Sequence, residues 1–306
     1  MTVETGEKKR SNLFYRFAVG IPLGALACGL FAFGERSLLV FLIVGAWFAL
    51  REFWRTTGVN HPETKFPLAR LGDIAAAVLL FASFVWPQGS FAVLIAIIIP
   101  LFAIHQLVAW SRGAKEFIRE VAVVTLGVLY IGGLLSFVFM LRHLQIILQA
   151  RDIDPLIFSY TWFPWFHRED MIHLTLFPVL TGWCTDTAAL FAGKYFGKIP
   201  MALKISPKKT VEGLIGGMVG AATGVTVYGY MIGLVGQVKV WEFITFGIIA
   251  AGISQLGDLT VSALKREAHQ KDSGRLLGAH GGMLDRIDGF LFALPATYVF
   301  FLMVLN

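Results

Sequence analysis

Long apolar runs are the feature that most restricts how this chain can fold. Stretches of about 20 mostly hydrophobic residues follow one another, and this is the length that an α-helix needs to cross a bilayer. They fall at residues 15–34, 37–54, 72–87, 91–110, 121–141, 172–193, 211–235, 241–263 and 286–305. The runs are continuous and do not alternate, which disfavours strands. The sequence therefore predicts an all-α, polytopic membrane helical bundle with about nine transmembrane helices.

Composition supports this class and limits the partners. Hydrophobic residues make up 56% of the 306 and charged residues 15%, whereas soluble domains average about 25% charged residues. The net charge of +6 favours an anionic neighbour, which is either the inner leaflet or an anionic substrate. Membrane lipids are thus expected partners. Nucleic acid is not, because the chain has no long basic arm.

The distribution of basic residues predicts the orientation. With the N-terminus in the cytoplasm, the inside segments hold 21 of the 26 Lys and Arg residues, as the positive-inside rule requires. Residues 1–14 are then a cytoplasmic tail. Residues 15–171 form an N-terminal region of about five spans with an external loop, and residues 172–306 form a C-terminal region of about four. The aromatic-rich loop at 143–171 is expected to lie along the membrane interface.

Two carboxylates, Asp186 and Asp258, lie inside predicted spans. An Asp at the middle of a transmembrane helix costs about 2.5–3.5 kcal/mol on insertion scales. Each therefore needs a partner, a metal ion or a water-filled cavity. A structural hydrogen bond to a neighbouring helix is one interpretation, but ionisable groups inside spans are functional by default.

A basic turn precedes the seventh run, where residues 204–213 read KISPKKTVEG. Pro207 interrupts any helix, and Thr210 is a suitable N-cap for the next one, although Gly213 leaves the capping box incomplete. Free N–H groups at a helix start, beside Lys208 and Lys209, suit a phosphate. Positive-inside charges on a solvated turn explain this stretch equally well.

The strongest signal lies at residues 257–288. Asp258, Ser262 and Lys265 are spaced to share one face of a helix. Carboxylates at the end of this helix and at the start of the next can meet across the hairpin, where they repel one another unless a cation lies between them. Mg²⁺ is the usual cation for carboxylates and substrate phosphates. The alternative is a set of Asp–Arg and Asp–Lys pairs that closes the end of the bundle.

The order and spacing of these residues resemble the signature of phosphatidate cytidylyltransferases, also called CDP-diacylglycerol synthases. The signature residues are Ser262, Lys265, Arg266, Lys271, Asp272, Gly278, His280, Gly281, Gly282, Asp285, Arg286 and Asp288. A second block is similar to the family at Asp186, Gly193, Gly197, Lys198, Ser206, Pro207, Lys209, Thr210, Glu212 and Gly213. Together the blocks cover residues 180–290.

The resemblance implies that CTP and phosphatidate give CDP-diacylglycerol and pyrophosphate, for phospholipid biosynthesis. It implies Mg²⁺ held by Asp258 and Asp285, with Asp288 completing the site or holding a second cation. Lys265 and Arg286 are the expected catalytic cations. The expected substrate contacts are Asp186, Ser206, Lys208, Lys209, Thr210, Glu212, Ser262, Arg266, Lys271, Asp272, His280, Gly281 and Gly282. A bacterial inner-membrane location, an active site that faces the cytoplasm and a homodimer are also implied.

Two other functions stay open. A CTP-dependent lipid kinase of the polyprenol type also uses CTP on a membrane substrate, but it transfers the γ-phosphate, leaves CDP free and releases no pyrophosphate. An ion-coupled transporter could use Asp186 and Asp258 to bind the coupling ion. Broken spans in two corresponding halves would support a transporter, and the sequence shows no such duplication.

Overall fold

The computed structural model describes residues 35–59, 68–112, 117–150, 173–234, 237–274 and 281–305. The predicted N-terminal tail, the first predicted span, most of the 143–171 loop and His280 lie outside these residues. The described part is helical apart from one short hairpin. The prediction of an α-helical bundle is therefore confirmed, with that one exception.

The helices coincide with the second to ninth apolar runs. In chain order they are α1 (Glu35–Thr57), α2 (Leu68–Val85), α3 (Ser90–Arg112), α4 (Phe117–Gly127), α5 (Leu134–Ala150), α6 (His173–Phe196), α7 (Val211–Met231), α8 (Val240–Glu267) and α9 (Leu284–Val304). A 3₁₀ turn at Pro87–Gly89 precedes α3, and a π-helical turn at Val128–Gly133 joins α4 to α5.

Six helical segments of the described residues are long and apolar enough to cross a membrane. They are Glu35–Thr57, Arg119–Ile147, His173–Phe196, Val211–Met231, Val240–Glu267 and Leu284–Val304. The membrane class therefore follows from the folded chain as well as from its composition. Nine spans and a cytoplasmic N-terminus stay predictions.

Helices α6 and α7 pack with their backbones close together. Gly216 of α7 lies where a Cβ atom would overlap the side chain of Ala192 on α6. Gly220, one turn further along α7, lies in the same way against Ala188. Small residues allow such an approach, which is how helices associate in lipid. This contact fixes α6, and with it Asp186, relative to the start of α7.

An aromatic cluster holds α6, α8 and α9 together at one end of the bundle. The rings of Phe177 and Phe301 meet edge to face at 4.8 Å, and those of Phe246 and Phe300 stack at 4.5 Å. Helix α9 also packs against α5 and α1, so it joins the two predicted regions of the chain. The polar groups at the end of α8 and at the start of α9 lie at the other end of the bundle from this cluster.

The basic turn before α7 is a β-hairpin, which the sequence analysis did not predict. Strand β1 (Pro200–Ala202) pairs antiparallel with β2 (Ser206–Thr210), and Pro200 lies opposite Thr210. The segment has no apolar alternation that would indicate a strand. The prediction that Thr210 is the N-cap of the next helix is confirmed, because its hydroxyl accepts a hydrogen bond from Gly213 N–H at 3.1 Å at the start of α7.

Candidate active site

Three connections between helices meet at one end of the bundle. Arg55, near the end of α1, donates from Nη2 to the Ser273 carbonyl in the α8–α9 connection at 2.7 Å. Arg266, at the end of α8, donates from Nε to the Ile205 carbonyl in the hairpin turn at 3.0 Å. The three are the connection that follows α1, the hairpin between α6 and α7, and the α8–α9 connection. The sequence predicts all three on the same side of the membrane, and these hydrogen bonds link them.

Asp258 is held in place by residues from two elements. Lys209 of β2 forms an ion pair with its carboxylate and also donates to Gln255 Oε1, one turn earlier on α8, at 2.9 Å. The Ser262 hydroxyl donates to Asp258 Oδ1 at 3.2 Å, so the predicted shared face of α8 is confirmed. The pairing joins a residue predicted to bind phosphate to one predicted to bind a cation.

Asp285, in the first turn of α9, organises the α8–α9 connection. Its Oδ1 accepts a hydrogen bond from Lys265 Nζ at 2.7 Å, and the two side chains are only 9% and 12% exposed. Its Oδ2 accepts from the N–H groups of Ser273 and Gly282, both at 3.0 Å. Both oxygens of this carboxylate are thus engaged by the protein itself.

Glycines allow the connection to fold tightly over Asp285. Gly281 has φ of +79°, a left-handed conformation that glycine adopts without steric cost. A Cβ atom on Gly282 would overlap the Glu52 carboxylate and the Ser273 hydroxyl. The paired glycines therefore serve close packing and the geometry of the turn. His280, which precedes them, lies outside the described residues.

Glu52 of α1 contacts the loop of the candidate site, and the sequence analysis did not single it out. Its side chain is buried, and it accepts hydrogen bonds from the Ser273 hydroxyl at 2.9 Å, Met283 N–H at 2.9 Å and Leu284 N–H at 2.8 Å. The last two donors belong to the start of α9, where free N–H groups and the helix dipole favour a negative charge. Glu52 thereby fixes the loop that carries the signature residues.

Asp288 lies one turn into α9, with its Oδ1 accepting a hydrogen bond from Gly289 N–H at 2.7 Å. The carboxylates of Asp258, Asp186 and Asp285 all act on it electrostatically. Lys209 and Arg286 contribute positive charge near Asp186. Carboxylates from three helices therefore converge on one region of the bundle.

The donor chemistry of this region fits Mg²⁺, which prefers carboxylate and phosphate oxygens. In the geometry of the described residues, however, no group of three or more acidic, His or Cys side chains is arranged to hold a metal ion. Lys209 and Lys265 instead balance Asp258 and Asp285. The predicted metal ligands Asp258, Asp285 and Asp288 therefore remain a proposal, although the fold brings them to one end.

The other residues predicted to contact substrate are of two kinds: anchors, whose side chains hydrogen-bond to the protein backbone, and exposed residues. Glu212 is an anchor, because its carboxylate accepts a hydrogen bond from Ile199 N–H at 3.2 Å, and Arg266 is another. The exposed residues are Lys208, Lys271, Asp272 and Arg286. Ser206 is partly buried within β2.

The missed residues carried signals of different strength. Glu52 is an ionisable group inside a predicted span, so the argument applied to Asp186 and Asp258 applies to it equally. Gln255 lies three residues before Asp258 on α8, a spacing that places both on one face. Ser273 follows the exposed pair Lys271 and Asp272, and nothing in its sequence neighbourhood indicates a buried contact.

Comparison with known proteins agrees with this arrangement. The model of the cytidylyltransferase family matches residues 14–304. A phosphatidate cytidylyltransferase of Staphylococcus saprophyticus is 39% identical over 137 residues, 45% of this chain and 52% of that protein. One from Haemophilus influenzae is 40% identical over 136 residues, 44% of this chain and 47% of that protein. One from Bacillus subtilis is 36% identical over 205 residues, 65% of this chain and 66% of that protein.

The aligned part of the chain thus spans about half the length of the first two relatives and just under two thirds of the third. The family model, in contrast, extends over nearly the whole chain and includes the helix that carries Glu52. It also includes every residue of the converging cluster described above. The chain belongs to the cytidylyltransferase family.

Proposed function

We propose that this chain is a phosphatidate cytidylyltransferase, which converts CTP and phosphatidate into CDP-diacylglycerol and pyrophosphate. One observation carries the proposal: cations and carboxylates of both signature blocks converge at one end of a membrane bundle. Such a site accepts a polar nucleotide from water and a lipid phosphate from the bilayer. The family match and the names of the relatives support the same reaction.

In this reaction an oxygen of the lipid phosphate attacks the α-phosphorus of CTP. A new P–O–P linkage forms between the lipid phosphate and the α-phosphorus. The bond between the α-phosphorus and the oxygen that bridges to the β-phosphate breaks, and pyrophosphate leaves with that electron pair. The nucleophile is already anionic, so the protein supplies no Ser or Cys. Catalysis then consists of positioning and charge neutralisation.

The cations of the site have two proposed roles. Lys265, Arg286 and Lys271 approach the phosphates from the α8–α9 side, and Arg266 also positions the hairpin. The hairpin side supplies a second phosphate corner, formed by Ser206, Lys208, Lys209 and Thr210. Lys209 exchanges its Asp258 partner for a phosphate oxygen as substrate binds, which leaves the carboxylate available. Lys265 likewise exchanges its Asp285 partner for a phosphate oxygen.

The carboxylates Asp258 and Asp288 hold Mg²⁺ in this proposal, with Asp186 beside them and Asp285 joining when Lys265 turns to a phosphate. Bound Mg²⁺ supplies charge neutralisation on the phosphate oxygens and on the leaving pyrophosphate. Ser262 keeps Asp258 oriented, and Glu52 keeps the α8–α9 connection against the bundle.

The proposal includes a topology. The chain crosses a bacterial inner membrane about nine times, its N-terminus is cytoplasmic and its active site faces the cytoplasm, where CTP is made. Support comes from the concentration of basic residues in connections that meet at the active-site end. A homodimer follows from the family resemblance. A cysteine placed at the exposed Lys208 should react with an impermeant maleimide only after the membrane is opened, and crosslinking in the membrane tests the dimer.

The reaction is tested by an assay in detergent with phosphatidate, Mg²⁺ and CTP labelled on both the α- and the γ-phosphate. The proposal requires the α-label in chloroform-soluble lipid and the γ-label in pyrophosphate, both dependent on Mg²⁺. Transfer of the γ-label to lipid identifies a lipid kinase instead. If neither label moves with any lipid phosphate, the proposed function is wrong.

A further inference from the structure

Tyr130 lies in the π-helical turn Val128–Gly133 between α4 and α5. Such turns are rare, and they occur frequently at functional sites because the extra residue re-aims neighbouring side chains. This one falls within the membrane-crossing segment Arg119–Ile147, away from both of its ends.

The Tyr130 ring packs where α8 and α9 cross. It meets the ring of Phe292 edge to face at 5.8 Å, and Phe292 lies one helical turn after Asp288 on α9. Gly257, next to Asp258 on α8, is in close contact with both the Asp288 carbonyl and Phe292. The ring therefore lies beside the α8–α9 crossing that carries Asp258 and Asp288.

The Tyr130 hydroxyl is buried, and within the described part of the chain it has no hydrogen-bond partner. The residue as a whole is 8% exposed. Leaving a buried hydroxyl unpaired is costly, and buried tyrosines ordinarily pair it. Tyr228 shows the ordinary case here, since its hydroxyl lies 3.1 Å from His173 Nδ1. The Tyr130 hydroxyl is thus a buried donor with capacity for one further hydrogen bond.

The charges that act on this hydroxyl are the carboxylates of Asp288 and Asp258. Asp258 already has Lys209 and Ser262 as partners. Asp288 accepts from Gly289 N–H at Oδ1, and a carboxylate has about four acceptor positions. The Tyr130 hydroxyl, unpaired within the described residues, and a carboxylate with unused acceptor positions thus belong to the same region of the α8–α9 crossing.

We propose that Tyr130 is a positioning residue for Asp288. When the Asp288 carboxylate turns to hold a cation, it accepts a hydrogen bond from the Tyr130 hydroxyl. Partners of this kind orient a metal-binding carboxylate and commonly change metal affinity about 10- to 100-fold. The inference rests on the proposed function, since Mg²⁺ at Asp288 belongs to that proposal. It adds a residue from the N-terminal half of the bundle to the site.

The test compares Tyr130→Phe with Tyr228→Phe, which removes the hydroxyl that pairs with His173. In detergent with CTP present and phosphatidate absent, so that nucleotide phosphates can engage Lys209 and Lys265, Mg²⁺ is titrated while the melting temperature is recorded. For Tyr130→Phe we expect the melting temperature without Mg²⁺ to stay the same or rise, because an unpaired buried hydroxyl is removed, and the midpoint of Mg²⁺ stabilisation to rise about 10-fold. Tyr228→Phe should lower the melting temperature without Mg²⁺ and leave that midpoint unchanged.

A second readout uses turnover, where the Mg²⁺ requirement of Tyr130→Phe should rise while the KM for CTP at saturating Mg²⁺ stays the same. An unchanged Mg²⁺ midpoint overturns the inference, as does a fall in melting temperature without Mg²⁺ that equals that of Tyr228→Phe. A wild-type protein that Mg²⁺ does not stabilise also overturns it. Absence of labelled lipid product with the wild-type protein, in contrast, refutes the proposed function and leaves the titration result unaffected.

Discussion

Replacing Glu52 with Gln tests whether α1 holds the signature loop in place. Oε2 of Glu52 accepts from Ser273 and Leu284, and Oε1 accepts from Met283. Gln keeps one acceptor oxygen and presents an NH₂ group where the other stood. Even with the oxygen at the Oε2 position, the NH₂ group faces Met283 N–H, so one hydrogen bond is lost and two become neutral.

The size of the effect follows from these contacts. A hydrogen bond to a charged group contributes about 1.5–3 kcal/mol and a neutral one about 0.5–1.5 kcal/mol. Loss of the negative charge at the start of α9 adds about 0.3–1 kcal/mol. Relief of the cost of burying a carboxylate offsets part of this sum. We expect the free energy that keeps the loop attached to fall by about 2–4 kcal/mol, a factor of about 30–1000 in the ratio of attached to detached loop.

Hydrogen exchange followed by mass spectrometry measures this ratio directly. Amides in the peptide that contains Met283 and Leu284 should exchange about 30–1000 times faster in Glu52→Gln, by the same conversion, and kcat/KM should fall with them. Glu242→Gln is the matched control. Its carboxylate also accepts from a backbone N–H at a helix start, that of Lys239 at 2.7 Å, but this hydrogen bond is exposed and lies at the other end of α8. Unchanged exchange in Glu52→Gln, or equal changes in both variants, would refute the reasoning.

The remaining predictions concern the ion pairs and the helix packing. Asp285→Asn should abolish turnover and lower stability by about 3–5 kcal/mol, because Lys265 is left buried without its partner. A Lys265→Met/Asp285→Asn double variant should regain stability in a denaturation assay but should not regain turnover. Turnover with normal Mg²⁺ dependence in Asp285→Asn would remove this residue from the site. Lys209→Met should raise the KM for CTP at least about 10-fold, the loss expected for a charged hydrogen bond, and an unchanged KM would contradict its phosphate role. Gly220→Ala should cost about 1–3 kcal/mol by overpacking against α6, whereas Gly252→Ala, where a Cβ atom meets only Met218 at 3.4 Å, should be tolerated in the same melting experiment.

The helical class, the shared face of α8 and the cap of α7 could be predicted from sequence because each depends on a local pattern. Apolar runs of one length dictate spanning helices, and the spacing of Asp258 and Ser262 dictates a shared face. The Thr210 cap has an equally local cause, since the hydroxyl bonds three residues ahead. These features need no knowledge of what packs against them.

The β-hairpin and the role of Glu52 could not be predicted in the same way. Strand β2 is polar, and it is fixed by Lys209 reaching Gln255 on a distant helix. Glu52 meets donors more than 200 residues later in the chain, and two of them are backbone N–H groups, which no side-chain pattern reveals. Pairings of that range depend on how the helices are arranged, and the arrangement is set by packing of the whole bundle.

The pairing of Glu52 with the start of α9 also has a consequence for how the protein is made. Glu52 and Ser273 are separated by 221 residues, so at about 5–20 residues per second a ribosome adds the second about 10–45 s after the first. During that interval α1 can already be in the bilayer while the donors that neutralise its carboxylate do not yet exist. The carboxylate must stay hydrated at the membrane surface or be shielded by the insertion machinery. Completion of the active site is thereby coupled to the last stage of synthesis, when α9 emerges and captures a side chain made at the beginning.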